Sequence, residues 1–199
     1  NMVFVPASEK GDDQDYVNLI KIIGDLTGIK ITPIRVTDYN AAVEAVRANR
    51  AQIAWYGGKT YIQAVEIADV EAFAAGVRKG DSDASYFAYF VVPSDSQLMT
   101  LKDVKGTKLA LNSIGSTSGD LIPQVELMKA GLSVKNKDDF ERVFYAGSHD
   151  ACLMAAINEH VDVCGMSSRN FDARVADGTL DPSQVRICLL YTSPSPRDP

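Results

Sequence analysis

The run Gly115-Ser116-Thr117-Ser118-Gly119 places three hydroxyl side chains between two glycines, directly ahead of a segment with helical periodicity. The first N–H groups of a helix have no intrahelical partner and carry a partial positive charge. Ser and Thr hydroxyls add donors there, and glycine lets backbone approach a ligand closely. That combination suits the binding of an oxyanion, although the same run also reads as a plain N-cap loop. A second segment of this kind is Ala146-Gly147-Ser148-His149-Asp150. A histidine at a helix start can donate an N–H to an anion or simply cap the turn, and Asp150 suits a first helical turn. Tyr39, Tyr56 and Tyr86 each follow or end an apolar run, where a tyrosine can close a pocket while its hydroxyl reaches a ligand.

Two enzymatic look-alikes fail on spacing. A nucleophile elbow, Gly-x-Ser-x-Gly, needs serine at its centre, and here the centre is Thr117. A Ser118/His149/aspartate triad is formally possible but lacks that elbow. Gly58-Lys59-Thr60 matches the end of a nucleotide-binding phosphate loop, yet the opening glycine of that motif would fall on Ile53, within a strand. It reads as a strand-to-helix turn.

Short apolar strands alternating with amphipathic helices must position these residues, the pattern of an α/β fold with a mainly parallel sheet. Strands are expected at residues 2–6, 31–36, 52–56, 71–77, 85–92, 108–111, 142–145, 161–164 and 185–187. Helices are expected at 15–27, 41–48, 60–67, 120–130, 150–159 and 170–176. Gly28 ends the first helix, and Thr37-Asp38-Tyr39-Asn40 forms a capping turn for the second. The polar stretch from Pro93 to Gln97 reads as a crossing between lobes, giving a first lobe over 1–92 and a second over 98–187.

Composition narrows the function classes. The chain has 199 residues, 46% hydrophobic and 23% charged, with a net charge of -6. An acidic balance argues against nucleic acid as a partner, while a pocket can still hold an anion through local donors. No apolar run reaches the length of about 18 residues that a membrane span needs. The three cysteines, Cys152, Cys164 and Cys188, show no zinc spacing. They read first as buried free thiols, with a Cys152–Cys164 disulfide as the alternative. No metal or cofactor is expected. The chain opens directly into an apolar strand, so the residues read either as a cytosolic protein or as one whose targeting segment lies outside this sequence.

From Cys188 onward the chain reads Cys-Leu-Leu-Tyr-Thr-Ser-Pro-Ser-Pro-Arg-Asp-Pro, which resembles the translation of a sequencing adapter. Residues 188–199 are therefore expected to be a non-native tail, with the strand pattern ending at Ile187 and the natural chain continuing past it.

Taken together, several stretches resemble the phosphate/phosphite/phosphonate-binding family of ABC-importer solute receptors. They are Val5-Pro6, Thr37-Asp38-Tyr39, Ile53-Ala54-Trp55-Tyr56-Gly57, Ser85-Tyr86-Phe87, Leu101-Lys102-Asp103-Val104-Lys105-Gly106, Ser116-Thr117-Ser118-Gly119, Gly147-Ser148-His149-Asp150 and Val161-Asp162, in the family's order. The resemblance implies a two-lobed, type II periplasmic-binding fold, with the second lobe complete and the first lacking its C-terminal return. It implies no enzyme. Ser116, Thr117, Ser118 and His149 would contact the oxyanion, and Tyr39 and Tyr86 would line the pocket. The implied partners are a small phosphorus oxyanion and an ABC permease, for a monomer in the periplasm or anchored at the cell surface as a lipoprotein. One departure is Arg169, which stands where aminophosphonate binders of the family carry an acid for the ligand's ammonium; poor binding of 2-aminoethylphosphonate is expected. The mechanism implied is capture by lobe closure without chemistry. The competing classes are a ligand-sensing domain of a signalling protein and, further off, a Ser/His hydrolase.

Overall fold

The computed structural model describes residues 1–7, 12–78 and 80–193. The chain divides into two compact units, Asn1–Phe73 and Ala74–Pro199.

In the first unit, β1 (Met2–Phe4) is flanked by β2 (Pro33–Ile34) and β3 (Ile53–Trp55), all parallel. The connections are helical: α1 (Asp12–Thr27), then α2 (Tyr39–Arg47), with α3 (Gly58–Ala68) following β3. Gly28 ends α1 at φ 69, a left-handed conformation that glycine adopts without a Cβ penalty. Asp38 caps α2, its Oδ1 accepting from the Ala41 N–H at 2.8 Å. A small core of Val3, Val5, Tyr39, Ala42, Ala45 and Ala51 holds the unit together. The strand expected at 71–77 does not form. Its apolar residues are mostly alanines, too small to make a buried face, and Phe73 is 74% exposed.

The second unit carries a five-stranded sheet in the order β6-β5-β7-β4-β8. The members are β4 (Tyr86–Pro93), β5 (Lys108–Leu111), β6 (Arg142–Tyr145), β7 (Val163–Ser167) and β8 (Val185–Ser193). Strands β5, β6 and β7 are mutually parallel; β4 runs antiparallel to both β7 and β8. Three helices cover it, α4 (Ile122–Lys129), α5 (His149–Ile157) and α6 (Ser168–Ala176). Side-chain alternation splits β4 between two cores. Tyr89 and Val91 join the cluster under α5 and α6, while Phe90 and Val92 join the cluster under α4. A strand buried on both faces reads as an unbroken apolar run, as Tyr86 to Val92 does.

Central β4 places the division of the chain at Phe73/Ala74 instead of at Pro93. The Pro93 stretch is a loop of the second unit, tied down by Ser94 N–H donating to Gln184 O and Arg186 donating to the carbonyls of Ser96 and Leu98. The sheet also extends past the expected end at Ile187. Leu189 and Tyr191 pair with β4, and the Tyr191 ring meets Phe90 edge-on at 6.3 Å. An apolar stretch beside an open strand edge is taken into the sheet. The Pro-containing end of the expected tail lies outside the described residues. Cys152 and Cys164 form a disulfide between α5 and β7, with Cα atoms 5.7 Å apart, instead of remaining free thiols; Cys188 is free. Their spacing of 12 residues hides the contact, because the packing of α5 on β7 creates it.

Candidate anion-binding edge of the second unit

In an α/β sheet, ligands gather where the carboxyl ends of parallel strands feed into helix starts. Strands β5, β6 and β7 all end at one edge of the second sheet, and α4, α5 and α6 begin there.

The first turn follows β5. The Ser116 hydroxyl accepts from the Gly119 N–H at 3.0 Å, and a single π-helical turn, Thr117–Leu121, leads into α4. The wide turn is closed by Leu121 N–H donating to Ser116 O, five residues back. Ser116, Thr117 and Ser118 are buried, as are Gly119 and Asp120. The second turn follows β6. Gly147 sits at φ 93, and Ser148 caps α5 by accepting from the Ala151 N–H at 3.0 Å. His149 is the first residue of α5 and is buried.

Gly119 shows how close these turns are. A Cβ placed there would lie 3.0 Å from His149 Cε1, 3.1 Å from Ser116 Oγ and 2.4 Å from Asn112 Cβ. Only a residue without a side chain fits, so the second glycine of the Gly-Ser-Thr-Ser-Gly run is a steric requirement. Asn112 ties the turns by backbone as well, its N–H donating to Gly119 O at 2.9 Å and its carbonyl accepting from Gly147 N–H at 2.8 Å.

The state of His149 follows from its surroundings. Its Nδ1 accepts from the Ser167 N–H at 3.3 Å, which leaves the ring proton on Nε2. Burial pushes its pKa down to about 3, against a smaller upward pull from Asp150. The ring is therefore a neutral N–H donor at physiological pH. In a hydrolytic triad a carboxylate orients Nδ1 so that Nε2 can take a proton. With a backbone N–H in that place, Nε2 is a donor and no general base is set up.

Two more elements reach this edge. Ser167 caps α6, accepting from the Arg169 N–H at 3.2 Å, and Ser168 accepts from the Phe87 N–H at 3.0 Å. Tyr86 opens β4, under the Arg169 guanidinium at 5.1 Å. Arg169 also donates through Nη2 to the carbonyls of Gly76, Ala84 and Ser85. Asp120 is fully buried and accepts from the Tyr145 hydroxyl at 2.8 Å and Gln124 Nε2 at 2.6 Å. That bond and burial together hold the Tyr145 hydroxyl pKa well above its usual value, burial being the larger cause.

Of the residues expected from sequence, Ser116, Thr117, Ser118 and His149 come together, and Tyr86 stands at the same sheet edge. Tyr39 and Tyr56 belong to the first unit. Tyr39 is buried in its core. Tyr56 donates its hydroxyl to Ala42 O at 3.2 Å, and burial raises its pKa to about 12. Sequence reasoning missed Asn112, Asp120, Ser167 and Ser168. The only trace of Asn112 is a polar residue directly after an apolar strand, an ordinary pattern. Among the described residues no three His, Cys, Asp or Glu side chains converge as a metal site. No helix among them is long and apolar enough to cross a membrane.

A profile of the family described as "ABC transporter, phosphonate, periplasmic substrate-binding protein" matches residues 2–199. The chain belongs to this family. Its members are binding components of transporters and not enzymes, so the hydrolase reading falls. The "Phosphonates-binding periplasmic protein" of Escherichia coli K12 is 31% identical over 178 residues, covering 86% of this chain and 51% of the relative. The "Phosphate-import protein PhnD" of Mycolicibacterium smegmatis is 28% identical, covering 92% of this chain and 59% of the relative. The chain thus spans about half the length of these relatives. Among solved structures, a binding protein component of an ABC phosphonate transporter from Pseudomonas aeruginosa superposes with a TM-score of 0.86 at 22% identity, covering 96% of this chain and 64% of that one. PhnD1 of Prochlorococcus marinus in complex with methylphosphonate gives 0.79 at 22% identity, covering 95% and 71%. These likenesses establish the α/β architecture as that of type II periplasmic binding proteins.

Proposed function

We propose that this chain is the anion-capturing part of the solute-binding component of an ABC importer, and that it holds a phosphorus oxyanion: a phosphonate, phosphite or phosphate. Ser116, Thr117, Ser118 and neutral His149 supply the hydrogen bonds, with Tyr86 at the same sheet edge. The observation that carries the reading is the meeting of two helix-start turns around Gly119. It is supported by the family's description and by a relative described as a phosphate importer. The donors are uncharged, so the anion exchanges water for a fixed set of hydrogen bonds, and an oxygen missing from the ligand leaves a donor unmet. Each such loss weakens binding by about 1–3 kcal/mol, roughly 5- to 150-fold in Kd. The protein acts as a monomer in the periplasm, delivers its ligand to a membrane permease and binds no nucleic acid.

Arg169 sets the preference within this class. A cation in the place where an ammonium would need an acid disfavours 2-aminoethylphosphonate. Calorimetric titration with methylphosphonate, phosphite, phosphate and 2-aminoethylphosphonate tests both statements. At least one of the first three binds, and the aminophosphonate binds more weakly than that ligand. Failure of all four to bind overturns the anion site; an aminophosphonate that binds tightest overturns the role given to Arg169.

A further inference from the structure

Asn112 presents a buried polar side chain that the fold does not explain. It directly follows β5, is fully buried, and neither Oδ1 nor Nδ2 has a hydrogen-bond partner among the described residues. Enclosing a carboxamide without partners is costly, and such a group persists where it serves something other than stability. Its position points to what that is. The Asn112 backbone is bonded to both helix-start turns, and its Cβ abuts the bare face of Gly119, whose other neighbours are the His149 ring and the Ser116 hydroxyl.

We infer that the Asn112 carboxamide is a specificity-determining contact of the oxyanion site, with Nδ2 donating to a P–O⁻ oxygen and Oδ1 accepting from a P–OH. The inference rests on the anion-binding reading above. Backbone N–H groups and the Nε2–H of His149 can only donate. A carboxamide needs one donor in return, which a fully deprotonated anion does not have. Phosphates, phosphites and phosphonates retain an ionisable hydroxyl near neutral pH, whereas sulfonates and sulfate do not. Asn112 thereby selects phosphorus oxyanions over sulfur oxyanions of the same shape. Asn112 is enclosed together with Ser116, Thr117, Ser118 and His149, where the two turns meet.

Methylphosphonate and methanesulfonate are a matched pair for the test, titrated into the wild-type chain, Asn112→Ala and Asn112→Asp. The wild type favours methylphosphonate. Asn112→Ala loses about ten- to a hundredfold in affinity for methylphosphonate and little for methanesulfonate. Asn112→Asp, which keeps the acceptor, binds both more weakly but retains the preference. The melting temperature of ligand-free Asn112→Ala stays at or above the wild-type value, because no hydrogen bond is lost. Unchanged methylphosphonate affinity, equal weakening of both ligands, or an unfolded Asn112→Ala chain overturns the inference. A wild-type protein that binds neither ligand, nor phosphite or phosphate, defeats the anion-site reading itself.

Discussion

The two units share an alternation of strands and helices, yet they differ in how completely they enclose it. The first surrounds a small core with short strands and leaves apolar side chains in water, among them Leu26 at 82%, Ile62 at 59% and Ile22 at 56% exposure. The second buries both faces of a five-stranded sheet beneath helices. Buried polar groups follow that difference. Asn112, Asp120, Ser116, Ser118 and His149 are enclosed in the second unit. In the first, Tyr39 packs in the core and Tyr56 bonds to a helix carbonyl. Dense packing is what allows costly polar groups to be held in fixed places, so most of the buried polar groups lie in the unit with the larger core.

The sharpest way to break this comparison is Gly119→Ala. The added methyl meets Asn112 Cβ at 2.4 Å, and overpacking of this kind costs about 1–3 kcal/mol or more. Denaturant titration should show that loss, and calorimetry should show anion binding reduced by about a hundredfold or more. A tolerated alanine would mean that the two turns are not held against each other.

Acid should weaken the second unit through His149. Its folded-state pKa of about 3 lies below the ordinary 6.5, so the unfolded chain takes up the proton first. Stability is full above about 6.5 and is lost as pH falls towards 3, at about 1.4 kcal/mol per pH unit for one group. Between pH 7 and 5 the wild type should lose about 2 kcal/mol more than His149→Gln in urea denaturation. Equal losses would show that the ring is not held neutral by burial.

The smallest effect belongs to the first unit. Tyr56→Phe removes the hydrogen bond to Ala42 O and should cost about 0.5–1.5 kcal/mol while leaving the affinity for methylphosphonate unchanged. A large drop in affinity would return Tyr56 to the ligand and undo the assignment of the anion chemistry to the second unit.

Local pattern made much of the architecture legible. The apolar alternation at Lys108–Leu111 and Arg142–Tyr145 placed β5 and β6 at their observed bounds, and the hydroxyl-rich run between glycines marked the first turn before α4. Legibility failed where long-range packing decides. Pro93 looked like a linker because Pro, Ser and Asp favour loops, although the loop it begins packs against residues some 90 positions away. Residues 71–77 looked like a strand, yet Gly76 O instead accepts from Arg169. Nothing around Asn112 signals that it will be enclosed, since its burial is created by Gly119 and Gly147 arriving from two separate turns.

The bridge between Cys152 and Cys164 bears on the order of events in the life of this chain. Both sulfurs sit in residues with no exposed surface, so an oxidant must reach them before α5 settles onto β7. Once the helix is seated, a reductant gains access only by prising the helix off. Closure of the bridge therefore belongs to an oxidising compartment and to an early stage of maturation. A batch produced in a reducing cytosol would carry two thiols enclosed beside the His149 turn, and later exposure of the folded molecule to air would convert them only slowly.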